Sequence, residues 1–326
     1  LDSEATIEAI MAALRSNGHE VTFVEGNAQL VNELQKLQPD ICFNICEGHV
    51  GDSRESHVPA ILEMLRLPYT GSQVLTLALT LDKPMTKRVL TYHDLPTPAF
   101  QVFERVNEPL DPQMKFPIFV KPSREGTGMG VSSESIVQDE GQLRTQLRRL
   151  FERYDQPVLA EQFIDGREVT VGVVGNLTTP VAWRLPEDEE APRLSRGLHF
   201  LPPLEVDMSR YPDEEAGIYT SRIKTELAHD FHYFCPAPLT EEQLQDLNWL
   251  TAATFRVTGC LDVARVDFRL DAHDNNKPYI LEINPLPGLN PEYSDLCIEA
   301  KAEGWKYETL VNRILDEAAD RYGLGS

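Results

Sequence analysis

Positive charge is scarce in this chain. Its 326 residues hold 30 Lys and Arg against 52 Asp and Glu, a formal net charge of -22 at pH 7. So acidic a chain lacks the clustered basic residues that nucleic acid or an anionic membrane surface requires, and neither is an expected partner. Long apolar runs are missing too. A bilayer span needs roughly 18 consecutive apolar residues, and the longest stretch, Val74 to Leu81, is broken by Thr76 and Thr80. Cysteines are few and odd in number: Cys42, Cys46, Cys235, Cys260 and Cys297. Cys42 and Cys46 lie four apart without an accompanying His or Cys cluster, which reads as buried free thiols, with a zinc site as the alternative. Unpaired thiols in a soluble chain fit a reducing cytoplasm. Leu1 to Gly18 is not a signal-peptide pattern but an amphipathic helix, with Ile7, Ile10, Met11 and Leu14 on one face. An α/β chain that starts on a helix implies a preceding strand and loop.

What is present is an alternation of elements. A helix, a strand at Glu20 to Val24, a helix at Gln29 to Leu37, a strand at Ile41 to Ile45 and a helix at Pro59 to Leu67 suggest a parallel sheet within residues 1–82. A helix then runs from Asp82 through Lys87 to the break Leu95-Pro96-Thr97-Pro98, the entry to a second subdomain spanning 83–161. There Phe116 to Pro122 and Pro157 to Glu161 read as strands flanking a helix at Gln142 to Tyr154. Residues 162–326 make a third subdomain, with a strand at 169–175 and Pro-, Glu- and Asp-rich loops at 186–220 over the cleft. At this length, subdomains sharing a cleft are expected.

The most telling stretch is Arg265-Val266-Asp267-Phe268, a polar turn, then Glu282-Ile283-Asn284. Strand alternation puts Arg265 and Asp267 on one face and Glu282 and Asn284 on one face of the next strand. A turn centred on Asp274-Asn275 sets Asp267 opposite Glu282 and Arg265 opposite Asn284. Such oxygen ligands suit magnesium, which shares its shell with phosphate oxygens. A solvated polar hairpin is the alternative. A nucleotide enzyme with this acidic surface must concentrate its few lysines in the cleft.

Lys121-Pro122-Ser123-Arg124-Glu125-Gly126-Thr127-Gly128-Met129-Gly130 follows a strand and carries three glycines that let main-chain N–H groups turn toward an anion, with Lys121 beside them. It is not a Walker A loop, because the lysine precedes the glycines. It reads as a phosphate-covering hairpin or an ordinary Gly-rich one. Glu161 through Glu168 places a carboxylate, apolar residues and a second carboxylate where adenine and ribose could be held, or else leads into a tight Asp165-Gly166 turn.

Taken together these segments resemble the ATP-grasp enzymes, specifically the D-alanine–D-alanine ligase family. The resemblance covers nearly the whole chain and rests on Tyr69-Thr70-Gly71-Ser72, Leu81-Asp82-Lys83, the Lys121 to Gly126 loop, Glu161 to Glu168, Phe234-Cys235-Pro236-Ala237, Ala264 to Asp267, and Glu282-Ile283-Asn284 with Pro287-Gly288, in the family's order. It implies an α/β ATP-grasp fold, two subdomains clamping ATP behind an N-terminal one. It implies that Lys83, Lys121 and Thr127 contact the phosphates, Glu161 the adenine amino group, Gln162, Phe163 and Ile164 the adenine ring edge, and Glu168 the ribose. Lys224, or Arg222 in its place, would reach the γ-phosphate. Asp267, Glu282 and Asn284 would hold two magnesium ions, or manganese, and Arg265 and the Gly288 amide would stabilise the oxyanion. The implied reaction makes a dipeptide from small amino-acid substrates through an acylphosphate, and a homodimer is expected from the family alone.

The departures lie on the amino-acid side. After Gly288 the family's serine-rich stretch, which binds the second substrate's carboxylate, becomes Leu289-Asn290-Pro291-Glu292-Tyr293-Ser294-Asp295-Leu296, where gapless counting puts Tyr293 at the serine position with Ser294 one residue away. The family's His-Gly and Glu-Asp-Gly region becomes Asn44 to His49 with Arg54-Glu55, leaving His49 as a substrate candidate. Glu292 and Asp295 bring negative charge where a substrate carboxylate is expected. A different amino acid or amine acceptor is therefore the alternative substrate, and a nucleotide-binding pseudoenzyme the reading from another class.

Overall fold

The apolar spacing of Ile7, Ile10, Met11 and Leu14 produces α1 (Glu4–Ser16), which starts where the Ser3 side chain accepts a hydrogen bond from the Thr6 amide. The structure is a computed structural model that describes residues 3–126, 129–178, 195–207 and 232–324. The expected helices follow as α2 (Leu30–Leu37), α3 (His57–Leu65), α4 (Val74–Leu81) and α5 (Lys83–Tyr92), the last capped by Asp82, which accepts from the Met85 amide. The parallel sheet expected for residues 1–82 is not formed among the described residues. Residues 20–24 and 41–45 join no ladder, and one bridge, Cys42 to Tyr69, is parallel. Both segments instead line one apolar cleft of about 520 Å³, with Val21, Phe23, Ile41 and Phe43 among its walls.

The next sheet is four-stranded and antiparallel. It holds β1 (Phe100–Phe103), β2 (Ile118–Pro122), β3 (Ile136–Val137) and β4 (Val158–Gln162) in the order β1-β4-β2-β3. Helix α6 (Glu140–Arg153), capped by Asp139, packs Leu143, Leu147 and Leu150 with Ile118, Val120 and Val158. Buried aliphatic side chains of this kind contribute about 1.5–3 kcal/mol each.

The second antiparallel sheet runs β10-β9-β5-β7-β8, with β6 also on β5: β5 (Gly166–Gly175), β6 (Leu198–Phe200), β7 (Leu204–Val206), β8 (Tyr233–Phe234), β9 (Val263–Asp271) and β10 (Lys277–Asn284). Its two faces differ because strand side chains alternate. Ala264, Val266, Phe268 and Leu270 of β9 and Val169, Val171 and Val173 of β5 are buried with Leu247, Leu250 and Phe255 of α7 (Glu241–Thr258). The intervening residues, Arg265, Asp267 and Arg269 on β9 and Glu168, Thr170 and Gly172 on β5, therefore share the opposite face, paired in register as Gly172 with Arg265, Thr170 with Asp267 and Glu168 with Arg269. Beyond them α8 (Asp295–Ala302), α9 (Tyr307–Arg321) and α1 close a further core around Leu14, Leu296 and Ile314.

The Tyr69 to Ser72 motif braces these parts together. The buried Asp262 carboxylate accepts from the Gly71 amide at 2.8 Å and pairs with Arg321 at 2.8 Å, while the Ser72 hydroxyl accepts from the Leu261 amide at 3.0 Å. Strand β9 is thus fixed at its start by residues nearly 200 positions away.

Candidate active site

The β9–β10 hairpin forms as expected, with one irregularity that matters. From Lys277–Asp271 to Ile280–Phe268 the pairing is regular; it then shifts by one residue, so Glu282 stands opposite Asp267 and Asn284 opposite Arg265. The shift lets Ile280 and Ile283 both enter the core, while Glu282 and Asn284 face the cleft. Asp267 receives Arg265 bidentately, Nε and one terminal nitrogen each at 2.9 Å, the Asn284 amide at 3.0 Å and the Thr170 hydroxyl. Its four lone-pair directions are all taken. Burial works against the Arg265 charge, yet Asp267 and Asp295 outweigh it and hold the guanidinium protonated.

Opposite this patch, α5 and the four-stranded sheet build a second cluster. Glu161 on β4 is 3% exposed and lies between two ammonium groups, Lys121 at 2.7 Å and Lys87 at 2.8 Å. Burial raises the Glu161 carboxyl, but Lys121 and Lys87 more than offset it and leave it below its ordinary range. Burial, with Lys121 beside it, pushes Lys87 down. Two positive charges on one carboxylate leave a surplus cation in a dry pocket, which favours an anionic ligand. Lys87 was not singled out by its sequence position as a site residue, because a lysine on an amphipathic helix ordinarily faces water. The expected Glu161–adenine contact meets a carboxylate already shared by two lysines. Its Oε2 atom is buried and, despite the nearby Lys87, lacks a well-aligned hydrogen bond.

Lys83, at the start of α5, links the two clusters. Its ammonium donates to the Glu125 carbonyl at 2.6 Å and lies 3.5 Å from the Glu282 carboxylate. The Gly-rich loop is itself anchored: Arg124 reaches Asp82 at 2.9 Å and also Asp52, and Arg54 donates to the Arg124 carbonyl at 2.9 Å. Thr127, Lys224 and Arg222 lie outside the described residues. Gln162 closes onto the Pro117 carbonyl, Phe163 lies under the Arg269 guanidinium, Ile164 is buried, and Glu168 sits 3.5 Å from Arg269.

On the far side of Arg265 lies the N-terminus of α8. A side chain on Gly288 would meet the Ser294 hydroxyl at 3.0 Å, so Ser294 is the residue brought beside Gly288, while Tyr293 is 49% exposed. Asp295 holds the third Arg265 nitrogen at 3.0 Å. His49 is exposed and makes no hydrogen bond or ion pair with a described residue.

Comparison with known proteins covers most of the chain. The family described as "D-ala D-ala ligase C-terminus" covers residues 89–187 and 205–316. The D-alanine–D-alanine ligase of Syntrophotalea carbinolica is 34% identical over 97% of this chain and 91% of its own length. The chain belongs to the D-alanine–D-alanine ligase family. It is an ATP-dependent ligase. An uncharacterized protein, y4sG, of Sinorhizobium fredii is also 34% identical, over 97% of this chain and 88% of its own. The D-alanine–D-alanine ligase of Bacillus anthracis, solved with ATP, superposes with a TM-score of 0.74 at 24% identity, over 99% of this chain and 96% of that one. The α/β ATP-grasp fold expected from the motifs is thereby shown.

Proposed function

We propose that this ligase activates the carboxylate of an amino acid, D-alanine by relation to the family, and joins it to an amine with release of ADP and phosphate. The observation that carries the reading is Lys83, which sits between the phosphate-covering loop and Glu282 and so makes the two clusters one cleft. Lys83 and Lys121 would meet the transferring phosphoryl group, and Glu161, whose two oxygens already pair with Lys121 and Lys87, would reach the adenine amino group with a remaining lone pair. Asp267, Glu282 and Asn284 fit magnesium by donor chemistry, with Asn284 turning its amide oxygen inward to free an Asp267 lone pair. Magnesium there would supply charge neutralisation on the phosphate oxygens. Arg265 then stands where charge collects on the acyl carbonyl, and the Gly288 amide beside Ser294 adds a second donor. Water is kept from the acyl group by the anchored Gly-rich loop.

The division at residues 82 and 161, a second copy in solution and a cytoplasmic setting belong to the same proposal. Among the described residues no helix is long and apolar enough to cross a membrane. The test is phosphate release from magnesium-ATP over a panel of amino acids and amines. Release that depends on D-alanine supports the reading. Binding of ATP with no release in any combination would instead support a nucleotide-binding pseudoenzyme.

A further inference from the structure

Just ahead of Glu282, the main chain of β10 is held from outside the sheet. Strand β10 lies at the edge of the six-stranded sheet, so its side turned away from β9 needs other partners. At the fully buried Ile280, the linker ahead of β1 supplies them. The Ile280 amide donates to the Pro96 carbonyl at 2.8 Å, and the Ile280 carbonyl accepts from the Thr97 hydroxyl at 2.9 Å. Pro96 and Thr97 thus lie along β10 like a short extra strand, although Thr97 and Ile280 are 183 positions apart.

The clamp sits on the residue where the register changes. Ile280 still faces Phe268 in the regular ladder, and after it Leu281 is the extra residue that brings Glu282 opposite Asp267. Pairing with β9 alone would let the extra residue sit earlier or later, and a slip of one residue turns a side chain to the other face. Bonds to both main-chain groups of Ile280 remove that freedom.

The polarity of the clamp is fixed as well. An ammonium group only donates, and Lys87 Nζ lies 2.7 Å from the Thr97 hydroxyl, so that oxygen accepts and its own proton goes to Ile280. Donation from a charged group into the hydroxyl strengthens the bond it passes on. Lys87, 1% exposed, also holds Glu161 at 2.8 Å. Lys83, one turn earlier on the same face of α5, lies 3.5 Å from Glu282 itself. A chain of polar contacts therefore runs from the Glu161 carboxylate through Lys87 and Thr97 to the β10 bulge.

We propose that Thr97 is a positioning residue of the ligase: its hydroxyl fixes the bulge that sets Glu282 opposite Asp267, and so ties the magnesium carboxylates to the lysine cluster on the nucleotide side. This rests on the reading of Asp267, Glu282 and Asn284 as magnesium ligands. Thr97 acts indirectly, through Ile280 and Lys87. Its loss is felt in the extra affinity that magnesium gives to a bound nucleotide, the coupling between the two sites.

Calorimetry with a non-hydrolysable ATP analogue, in magnesium and in EDTA, reads that gain without turnover. Thr97→Val keeps the shape and removes the hydroxyl; Thr97→Ser keeps the hydroxyl. The valine variant is expected to show a magnesium gain about fivefold smaller or more, with affinity in EDTA within about threefold of the parent. It is also expected to raise the magnesium concentration for half-maximal turnover by about fivefold. Amide exchange across residues 277–284, measured without metal or nucleotide, is expected to quicken roughly tenfold. The serine variant is expected to match the parent within about twofold in each measurement. Thr97→Cys, whose thiol donates weakly, is expected to lie between them and gives the same reading where the valine variant does not fold. An unchanged magnesium gain in the valine variant overturns the proposal. So does an equal loss of affinity in EDTA and in magnesium, which is general damage to the nucleotide pocket. A serine variant as impaired as the valine one overturns the hydroxyl as the cause. A parent that shows no magnesium gain removes the magnesium reading and the proposal with it.

Discussion

Glu282 stands across from Asp267 because the β10 register slips by one residue between Ile280 and Glu282. Without that slip the strand would present Glu282 to the side that Ile280 takes, in the core under α7. The bulge therefore sets both the hydrophobic layer and the carboxylate pair proposed to hold magnesium. Glu282→Gln keeps the shape and removes a charge. It is expected to lower magnesium-dependent turnover by roughly 100-fold or more, an effect of the size seen when one charge-stabilising group is lost, and to raise the magnesium concentration needed for half-maximal rate. A magnesium titration of steady-state turnover reads both.

The Lys87–Glu161–Lys121 cluster predicts unequal stability losses. Removing the shared carboxylate in Glu161→Gln leaves two buried ammonium groups without an acid, at a cost of about 3–5 kcal/mol. Lys87→Met leaves the 2.7 Å Lys121–Glu161 pair neutral and intact, and costs about 1–2 kcal/mol. Urea unfolding ranks the two variants. The same cluster gives an acid limb: the Glu161 carboxyl is held below its ordinary value of 4.5, so its contribution is present above that pH and is lost as pH falls through the depressed value.

Glu55 works in the opposite direction. Burial, with Glu47 beside it, pushes its carboxyl from 4.5 up to about 7. The folded state holds the proton more tightly, so this contribution is full below the ordinary value and is lost as pH rises through about 7. In magnesium-free buffer, Glu55→Gln is expected to flatten the decline of stability between those pH values and to be more stable than the parent at pH 8. Thermal unfolding from pH 4.5 to 8 reads the slopes.

How much of this was legible in the residues depends on what each signal needs. The hairpin could be placed because alternation and turn chemistry are local, and the one-residue bulge reproduced the pairing that a slightly different turn centre had implied. Lys87 was hidden because its partner, Glu161, is 74 positions away and α5 reads as an ordinary amphipathic helix. Asp295 was visible as misplaced charge, but its grip on Arg265 is tertiary. Gapless counting puts Tyr293 at the serine position, whereas the fold brings the Ser294 hydroxyl beside Gly288. The strands expected at 20–24 and 41–45 have the right apolar pattern, yet among the described residues their ladder pairing is limited to the Cys42–Tyr69 bridge.

The Gly-rich loop gives a further prediction. Arg54 donates to the Arg124 carbonyl and lies 3.7 Å from the Glu125 carboxylate, both partly buried. Arg54→Ala removes one tie between the residue 54 loop and the Gly-rich loop proposed to cover the phosphates. The loss is about 0.5–1 kcal/mol, equivalent to a roughly two- to fivefold rise in the KM for ATP, with faster proteolysis within 123–130. Steady-state kinetics and limited trypsin digestion check it.

In the proposed reaction the donor carboxylate attacks the γ-phosphate directly. Amino acid labelled with oxygen-18 in its carboxylate, turned over with unlabelled ATP in ordinary water, tests that step. One labelled oxygen is expected in each inorganic phosphate released, because the acyl carbon parts from the oxygen it donated. Phosphate carrying no label would contradict it, placing the attack on ATP with water and not with the substrate.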